Sequence, residues 1–291
     1  MTVGAIGPIR GKTVLITGAT SGIGLWTARA LAAEGAHVVL VGRSADKSAA
    51  AAAEVAGVAA AGAQVHTLLA DMASLASIRA ACAEAAARFP VLDVLVNNAG
   101  AMHMERATTA DGFEMTFGVN HLGYMETTLG LLPLLRAAPA ARVVVVASDA
   151  HRMGKIDWDD LQSTRGYNGW SVYGTSKLQN ILFTRALARR LAGTAISANS
   201  LHPGVVATGF GRNNDGWVGR LVALGAPFLI SPARGARTSV YLAADAAVDG
   251  VTGRYFARCK EVKPRAHATD DDAAERLWAE SLRLLGRTEP A

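Results

Sequence analysis

Tyrosine and lysine stand four residues apart in YGTSK, residues 173–177. On a helix that spacing puts Tyr173 and Lys177 on one face, aimed at one spot. A nearby positive charge favours the ionised form of a phenol, so the pair could make an acid or base that works near neutral pH. The same two residues would also suit a half-buried tyrosine with a lysine snorkelling along an amphipathic helix. A second chemical signal is TVLITGATSGIG, residues 13–24, where an apolar run meets a glycine-rich turn. Gly18, Gly22 and Gly24 there would let the backbone approach a pyrophosphate closely, with Ser21 able to add a hydrogen bond and Ile23 beginning the helix that follows. The first N–H groups of that helix would face the anion with a favourable dipole.

Both signals need a frame. Thr13–Ile16, His37–Val41, Val65–Leu69, Leu92–Val96, Arg142–Val146 and Ala195–Ser200 read as strands, with a last one near Tyr255. Several are unbroken apolar runs such as VVVV, as expected of parallel strands buried on both faces. Helix-like segments alternate with them, including Ile23–Glu34, Ser74–Arg88 and Val172–Leu191. The alanine-rich Ala49–Ala61 suits a surface helix, and Asp270, Asp271 and Asp272 suit the N-terminus of a helix ending near Leu285. The expected fold is α/β: a doubly wound Rossmann-type single domain over residues 1–291, with a mostly parallel sheet of about seven strands and helices on both faces.

The end of the second strand selects the dinucleotide. An acid there would bond the ribose 2′-OH of NAD, whereas an arginine can meet the 2′-phosphate of NADP. The sequence reads HVVLVGRSAD, with Arg43 at the turn and the first acid at Asp46. Arginine's planar fork suits phosphate, so NADP(H) is expected over NAD(H).

The glycine spacing is GxxxGxG. With NNAG at Asn97–Gly100, VNHLG at Val119–Gly123, ASDAH at Ala147–His151, YGTSK and HPG at His202–Gly204, the chain resembles the short-chain dehydrogenase/reductase family over nearly its whole length. DGFEMTFGVNHLG, SKLQNILFTRALARRL and the late TGRYF and ERLWAESLRLLG resemble its retinol-dehydrogenase-like members. The resemblance implies a cofactor-binding half over roughly 10–150 and a catalytic and substrate-binding half over roughly 151–291. It assigns Tyr173 as proton donor to a carbonyl oxygen, or base in alcohol oxidation, and Ser148 as a second donor to that oxygen. Lys177 would lower the Tyr173 pKa and hold the nicotinamide ribose, and Asn120 would hold a water linking Lys177 to solvent. Asp71 would accept from the adenine amino group with Met72 beside it, and Asn98, Ala99 and Gly100 would line the adenosine ribose. Pro203, Gly204, Val206 and Thr208 would contact the nicotinamide half. Where many members read SS, this chain reads Ala147-Ser148, followed by Asp149.

Two stretches, Arg152–Val172 and Ala207–Ile230, should overhang the site. Their Trp158, Trp170, Phe210, Trp217 and Phe228 could either wall a lipophilic substrate or pin the loops to the body. The expected reaction interconverts a ketone or aldehyde and an alcohol. Reduction of an activated C=C bond and a noncatalytic dinucleotide-binding sensor are the competing readings. Ser148 beside Tyr173 favours C=O chemistry, and none of the four catalytic positions is lost.

Composition narrows the field. Half of the 291 residues are hydrophobic and 18% are charged, which argues for a compact core and against disorder. The net charge of +5 comes from scattered Lys and Arg, so no nucleic-acid partner is expected. The seven histidines form no HExxH or similar cluster, and no metal is expected. No apolar run suggests a membrane span, and the first twelve residues lack the apolar core of a secretory signal. With two cysteines and no metal-type spacing, the expected location is the cytoplasm. A homodimer or homotetramer is expected by analogy with the family.

Overall fold

A computed structural model describes residues 9–205 and 230–289. Its strands are β1 (Thr13–Thr17), β2 (His37–Gly42), β3 (Val65–Leu69), β4 (Val94–Asn97), β5 (Ala141–Val146), β6 (Ile196–His202), β7 (Tyr255–Ala257) and β8 (Lys260–Glu261). They form one sheet in the order β3-β2-β1-β4-β5-β6-β7-β8, parallel except for the final β7–β8 pair. The sheet therefore has one strand more than the sequence suggests. β8 is only two residues long and joins through a hairpin whose turn residues Arg258 and Cys259 have φ of 54° and 59°. No apolar run announces such a strand.

The helices are α1 (Gly22–Ala33), α2 (Ala45–Ala56), α3 (Leu75–Arg88), the single turn α4 (Met115–Phe117), α5 (Gly123–Ala137), α6 (Gly169–Arg190), α7 (Pro232–Ala244) and α8 (Asp271–Leu285). Ser44, Ser74, Asn168, Ser231 and Asp270 cap α2, α3, α6, α7 and α8 with side-chain oxygens that accept from backbone N–H groups in the first turn. Among the described residues, no helix is long and apolar enough to cross a membrane.

The period of two along each strand sends alternate residues to opposite cores. Val14, Ile16, Val38, Leu40, Val94, Val96, Val144 and Val146 pack with residues of α1, α2 and α7. Leu15, Val39, Val41, Leu95, Val143 and Val145 pack with residues of α3, α5, α6 and α8. That double coverage explains why these strands read as continuous apolar runs. The strand order reverses direction between β1 and β4, and a crevice at the carboxyl ends of the strands opens at such a switch point.

α8 is bound to the body by charge as well as by apolar packing. Asp271 pairs with Arg185 at 2.7 Å and Arg189 at 2.6 Å, and Glu275 with Arg189 and Arg190 at 2.7 Å each. Trp278 stacks on Phe183 with ring centroids 5.8 Å apart. Just beyond the helix, Arg287 joins Arg79 in holding the fully buried Glu126 of α5, at 2.7 and 2.6 Å.

Burial alone would raise the Glu126 pKa, but hydrogen bonds from Arg287 and Arg79 outweigh it and hold the carboxyl below its usual range. A carboxylate held low in the fold contributes stability above its unfolded pKa and loses it as pH falls through the folded value. Glu126→Gln is therefore expected to destabilise the protein at neutral pH by about 2 kcal/mol, less than the full cost of breaking a buried pair because both guanidiniums keep contact with water. Thermal melts should show that difference shrinking as pH drops below about 4.

Candidate active site

β5 ends at Val146, and Ala147 carries the chain to Ser148 at the sheet's carboxyl edge. A short 3₁₀ turn, Asp149–Met153, follows at once and lies against α6. Glycines set how close that approach is: a Cβ on Gly174 would stand 2.8 Å from Ala150 O, and one on Gly154 would stand 2.8 Å from Gly174 C. Tyr173 and Lys177 sit on α6 beside this contact, and the Ser148 and Tyr173 hydroxyls are hydrogen-bonded to each other. Lys177 Nζ lies 5.5 Å from the Tyr173 ring centre and donates to Val146 O at 3.1 Å. The spacing read from YGTSK thus places both side chains at the end of β5.

Their electrostatics differ from the sequence expectation that Lys177 would lower the Tyr173 pKa. Burial pushes the Tyr173 phenol up to about 12, with the Ser148 hydrogen bond opposing part of the rise. Burial likewise pushes Lys177 down to about 7. Desolvation is the largest cause of the Tyr173 shift and the cause of the Lys177 shift, so burial sets the direction of both.

Asn120 lies in a π-helical turn, Gly118–Leu122, between α4 and α5. Single π turns inside helices often mark functional positions. Its side chain accepts from Ala101 N at 2.7 Å and donates to Ala101 O at 2.9 Å and Ser176 Oγ at 3.0 Å. Ser176 in turn donates to Tyr173 O at 2.7 Å. The Asn120 amide therefore ties the segment after β4 to α6, and a water-holding role for Asn120 would fall to its main chain.

The glycine turn is built as the spacing suggests. Gly18 has φ +64°, and a Cβ there would stand 2.8 Å from Ala99 Cα. A Cβ on Gly24 would stand 2.5 Å from Asn98 Nδ2. Asn98 does more than line a cleft: Nδ2 donates to Thr17 O at 2.8 Å and Gly18 O at 3.3 Å, fastening the turn to β4. Gly22 and Ile23 open α1, whose N-cap Ser21 makes no side-chain capping bond and whose first turn carries no acid. Those N-terminal amides suit an anion. Arg43 is exposed at the end of β2, and Gly42 before it packs against Thr20 of the turn.

Elsewhere the roles divide. Asp71 is exposed after β3, with Oδ1 accepting from Ala73 N at 2.9 Å. The Met72 side chain turns inward, its Cε 3.2 Å from where a Cβ on Gly123 would be, so a cofactor contact there would fall to its main chain. Gly100 is exposed beside the buried Ala99. Pro203 and Gly204 follow β6, and Ile230 N donates to Val205 O at 2.9 Å. Val206, Thr208, Phe210, Trp217 and Phe228 lie outside the described residues. Trp158 pins its loop to the body under Arg276, 4.5 Å from the ring centre, whereas Trp170 is half exposed. Asp149 is taken up by Tyr255 OH at 3.1 Å and by Arg152 at 3.6 Å.

Sequence patterns mark neither Thr17 nor Ser176 as a site residue, and mark Tyr255 only as the place of a last strand. The buried Thr17 hydroxyl accepts from Asn98 N at 2.9 Å and Ala99 N at 3.0 Å, closing β4 onto β1 at the switch point. A polar residue ending the apolar run TVLIT was its only signal.

The family model described as short chain dehydrogenase matches residues 12–218. Retinol dehydrogenase 14 of Mus musculus is 43% identical over 96% of this chain and 87% of its own length. A crystal structure of an uncharacterized protein from Mycobacterium Paratuberculosis is similar with a TM-score of 0.81 and 34% identity, covering 100% of this chain and 99% of its own. L-Sorbose reductase from Gluconobacter frateurii, complexed with NADPH and L-sorbose, is similar with a TM-score of 0.69 and 25% identity over 86% of this chain and 95% of its own.

Thr17→Val would leave the two N–H groups of Asn98 and Ala99 without their acceptor. The expected cost is about 2–4 kcal/mol by thermal melt. Affinity for the family's nicotinamide dinucleotide, read by fluorescence titration, should fall by about tenfold because the floor of the crevice shifts.

Proposed function

The chain belongs to the short chain dehydrogenase family and is an oxidoreductase, and on that premise we propose that it interconverts a ketone or aldehyde and an alcohol on a lipophilic small molecule, with NADP(H) preferred over NAD(H). The observation that carries this reading is the hydrogen-bonded Ser148–Tyr173 pair with Lys177 beneath it.

The residues present fit a dinucleotide. The glycine turn and the open amides of α1 suit its pyrophosphate, Arg43 a 2′-phosphate, Asp71 and the Asn98–Gly100 segment the adenosine, and Lys177 with the Pro203–Gly204 turn the nicotinamide half. When bound, it would supply or take up the hydride. In reduction Tyr173 gives its proton to the carbonyl oxygen, and the Ser148 hydroxyl donates a second hydrogen bond to the same oxygen. In oxidation Tyr173 takes the proton back. Lys177, buried and titrating near neutrality, can carry protons behind the phenol.

Several features support the finer points. Met153, Trp170 and Val205, which follow or precede site residues closely in sequence, are large apolar side chains at 61%, 50% and 66% exposure. Apolar surface of that kind suits a lipophilic substrate, as do relatives named retinol dehydrogenases. Arg43 and the NADPH of the sorbose reductase structure favour NADP(H). The unpaired Cys82 and Cys259 suit a reducing cytoplasm. A homodimer or homotetramer belongs to the same reading, through faces other than the side of α6 that α8 covers.

Tyr173→Phe should cut turnover by at least about a hundredfold while NADPH binding stays within about threefold. A carbonyl-compound panel followed by NADPH absorbance is the assay, and full activity in the variant would refute the assignment. Arg43→Asp should lower the ratio of kcat/KM with NADPH to that with NADH by about tenfold or more. An unchanged ratio would remove the basis for NADP(H).

A further inference from the structure

The buried imidazole of His151 sits directly behind Ser148 and takes no part in the chemistry above. Its Nδ1 lies 2.7 Å from Ser148 O, and its Nε2 receives a hydrogen bond from Arg265 N at 3.3 Å. A nitrogen that accepts from a backbone N–H carries no proton, so the neutral ring's proton is on Nδ1 and is donated to Ser148 O. The main-chain N–H of His151 also donates to Ser148 O, at 3.1 Å. The ring packs edge-on against Tyr255, centroids 5.2 Å apart, and His267 Nε2 lies 3.0 Å from His151 O. Residues 265–267 come from the short 3₁₀ element Ala266–Thr269 and its N-cap, well over a hundred residues further along the chain.

We propose that His151 is a positioning residue for the oxidoreductase reaction: it holds the Ser148 carbonyl, and through it the Ser148 hydroxyl, in register with Tyr173, and the Arg265–Thr269 segment holds the ring. The Ser148 backbone is extended, with φ and ψ of −165° and 156°, immediately before the 3₁₀ turn, so a held carbonyl holds the peptide plane from which the Ser148 Cα and its side chain extend. The imidazole fixes that direction from the C-terminal side of the chain. A misplacement of catalytic groups by about 1 Å can cost up to about a hundredfold in rate.

This inference rests on the carbonyl reading for its kinetic arm and on geometry alone for its structural arm. Asparagine reproduces the Nδ1 end of a histidine and glutamine the Nε2 end, so two variants separate the two bonds. His151→Gln, which loses the bond to Ser148, should lower kcat by about tenfold or more with KM for NADPH unchanged. His151→Asn, which keeps that bond, should return kcat to within about threefold of wild type. Hydrogen exchange gives the structural arm: amides of 265–269 should exchange faster in His151→Asn and at the wild-type rate in His151→Gln, with the reverse at 148–154. Arg265 has φ −62° and ψ 153°, which proline adopts, but proline's Cδ would stand where the N–H now meets His151 Nε2, so Arg265→Pro both removes the donor and pushes the ring from its seat. It should speed exchange at 266–269 and lower kcat by about threefold, and it decides the matter if either His151 variant fails to fold. Wild-type kcat in His151→Gln, equal losses in both His151 variants, or unchanged exchange at 266–269 in Arg265→Pro would overturn the proposal. If no carbonyl compound is turned over by the wild type, the functional reading fails while the exchange arm still returns its answer.

Discussion

The hydrogen bond between Ser148 and Tyr173 joins the end of a buried strand to a turn of a helix. It exists because the chain between them is drawn tight. Gly154 and Gly174 allow a backbone-to-backbone approach that side chains would forbid, and Lys177 and Asn180 both donate to Val146 O, at 3.1 and 3.4 Å. Those bonds satisfy the last carbonyl of β5 with helix side chains, so the strand end cannot drift from α6 without leaving a buried acceptor unpaired. The Ser148–Tyr173 pair inherits its precision from this clamp.

Burial then sets the protonation of the site. Desolvation favours neutral forms, raising a phenol and lowering an ammonium, and both shifts occur here in neighbouring side chains. At neutral pH Tyr173 keeps its proton, which is the form that can give one to a carbonyl oxygen. Lys177 titrates close to neutrality and can exchange protons without a large energetic step. Tyr124, whose ring lies 5.7 Å from Lys177 Nζ, is pushed up as well, by its own burial and then by Tyr173. The low-polarity setting that makes the pair expensive to ionise also strengthens each hydrogen bond made within it.

Much of this was legible in the chain. Apolar runs gave the parallel strands, because both faces of the sheet are covered; GxxxGxG gave the turn, because Gly18 needs its positive φ and Gly24 its close contact with Asn98. YGTSK gave one helical face. What stayed hidden depends on contacts between distant residues. Thr17 reads as an ordinary strand end until β4 lies beside β1, and β8 has too few residues to carry a pattern. The Asn120 π turn has no sequence period of its own. The net rise of the Tyr173 pKa is hidden for the same reason: spacing reports that Lys177 is near, whereas the depth of both groups is a property of the whole fold.

The C-terminal part of the chain shows how far such contacts reach. The family model's match ends at residue 218, yet three side chains of the site region are bonded to residues beyond it. Asp149 accepts from Tyr255, His151 from Arg265 N, and His121, next to Asn120, meets Ser281 of α8 at 2.8 Å. His121 is itself buried, stacked near Phe117 and held neutral by burial, with its pKa pushed down to about 3. These late elements add little to the sheet, where β7 and β8 contribute only five residues in all. Their larger effect is to brace, from outside, the two turns that present Ser148 and Asn120. A short turn has too few internal hydrogen bonds to fix a side chain's direction, and buried polar contacts from a packed neighbour supply that direction at a cost in stability which the charged and stacked contacts of α8 with α6 offset.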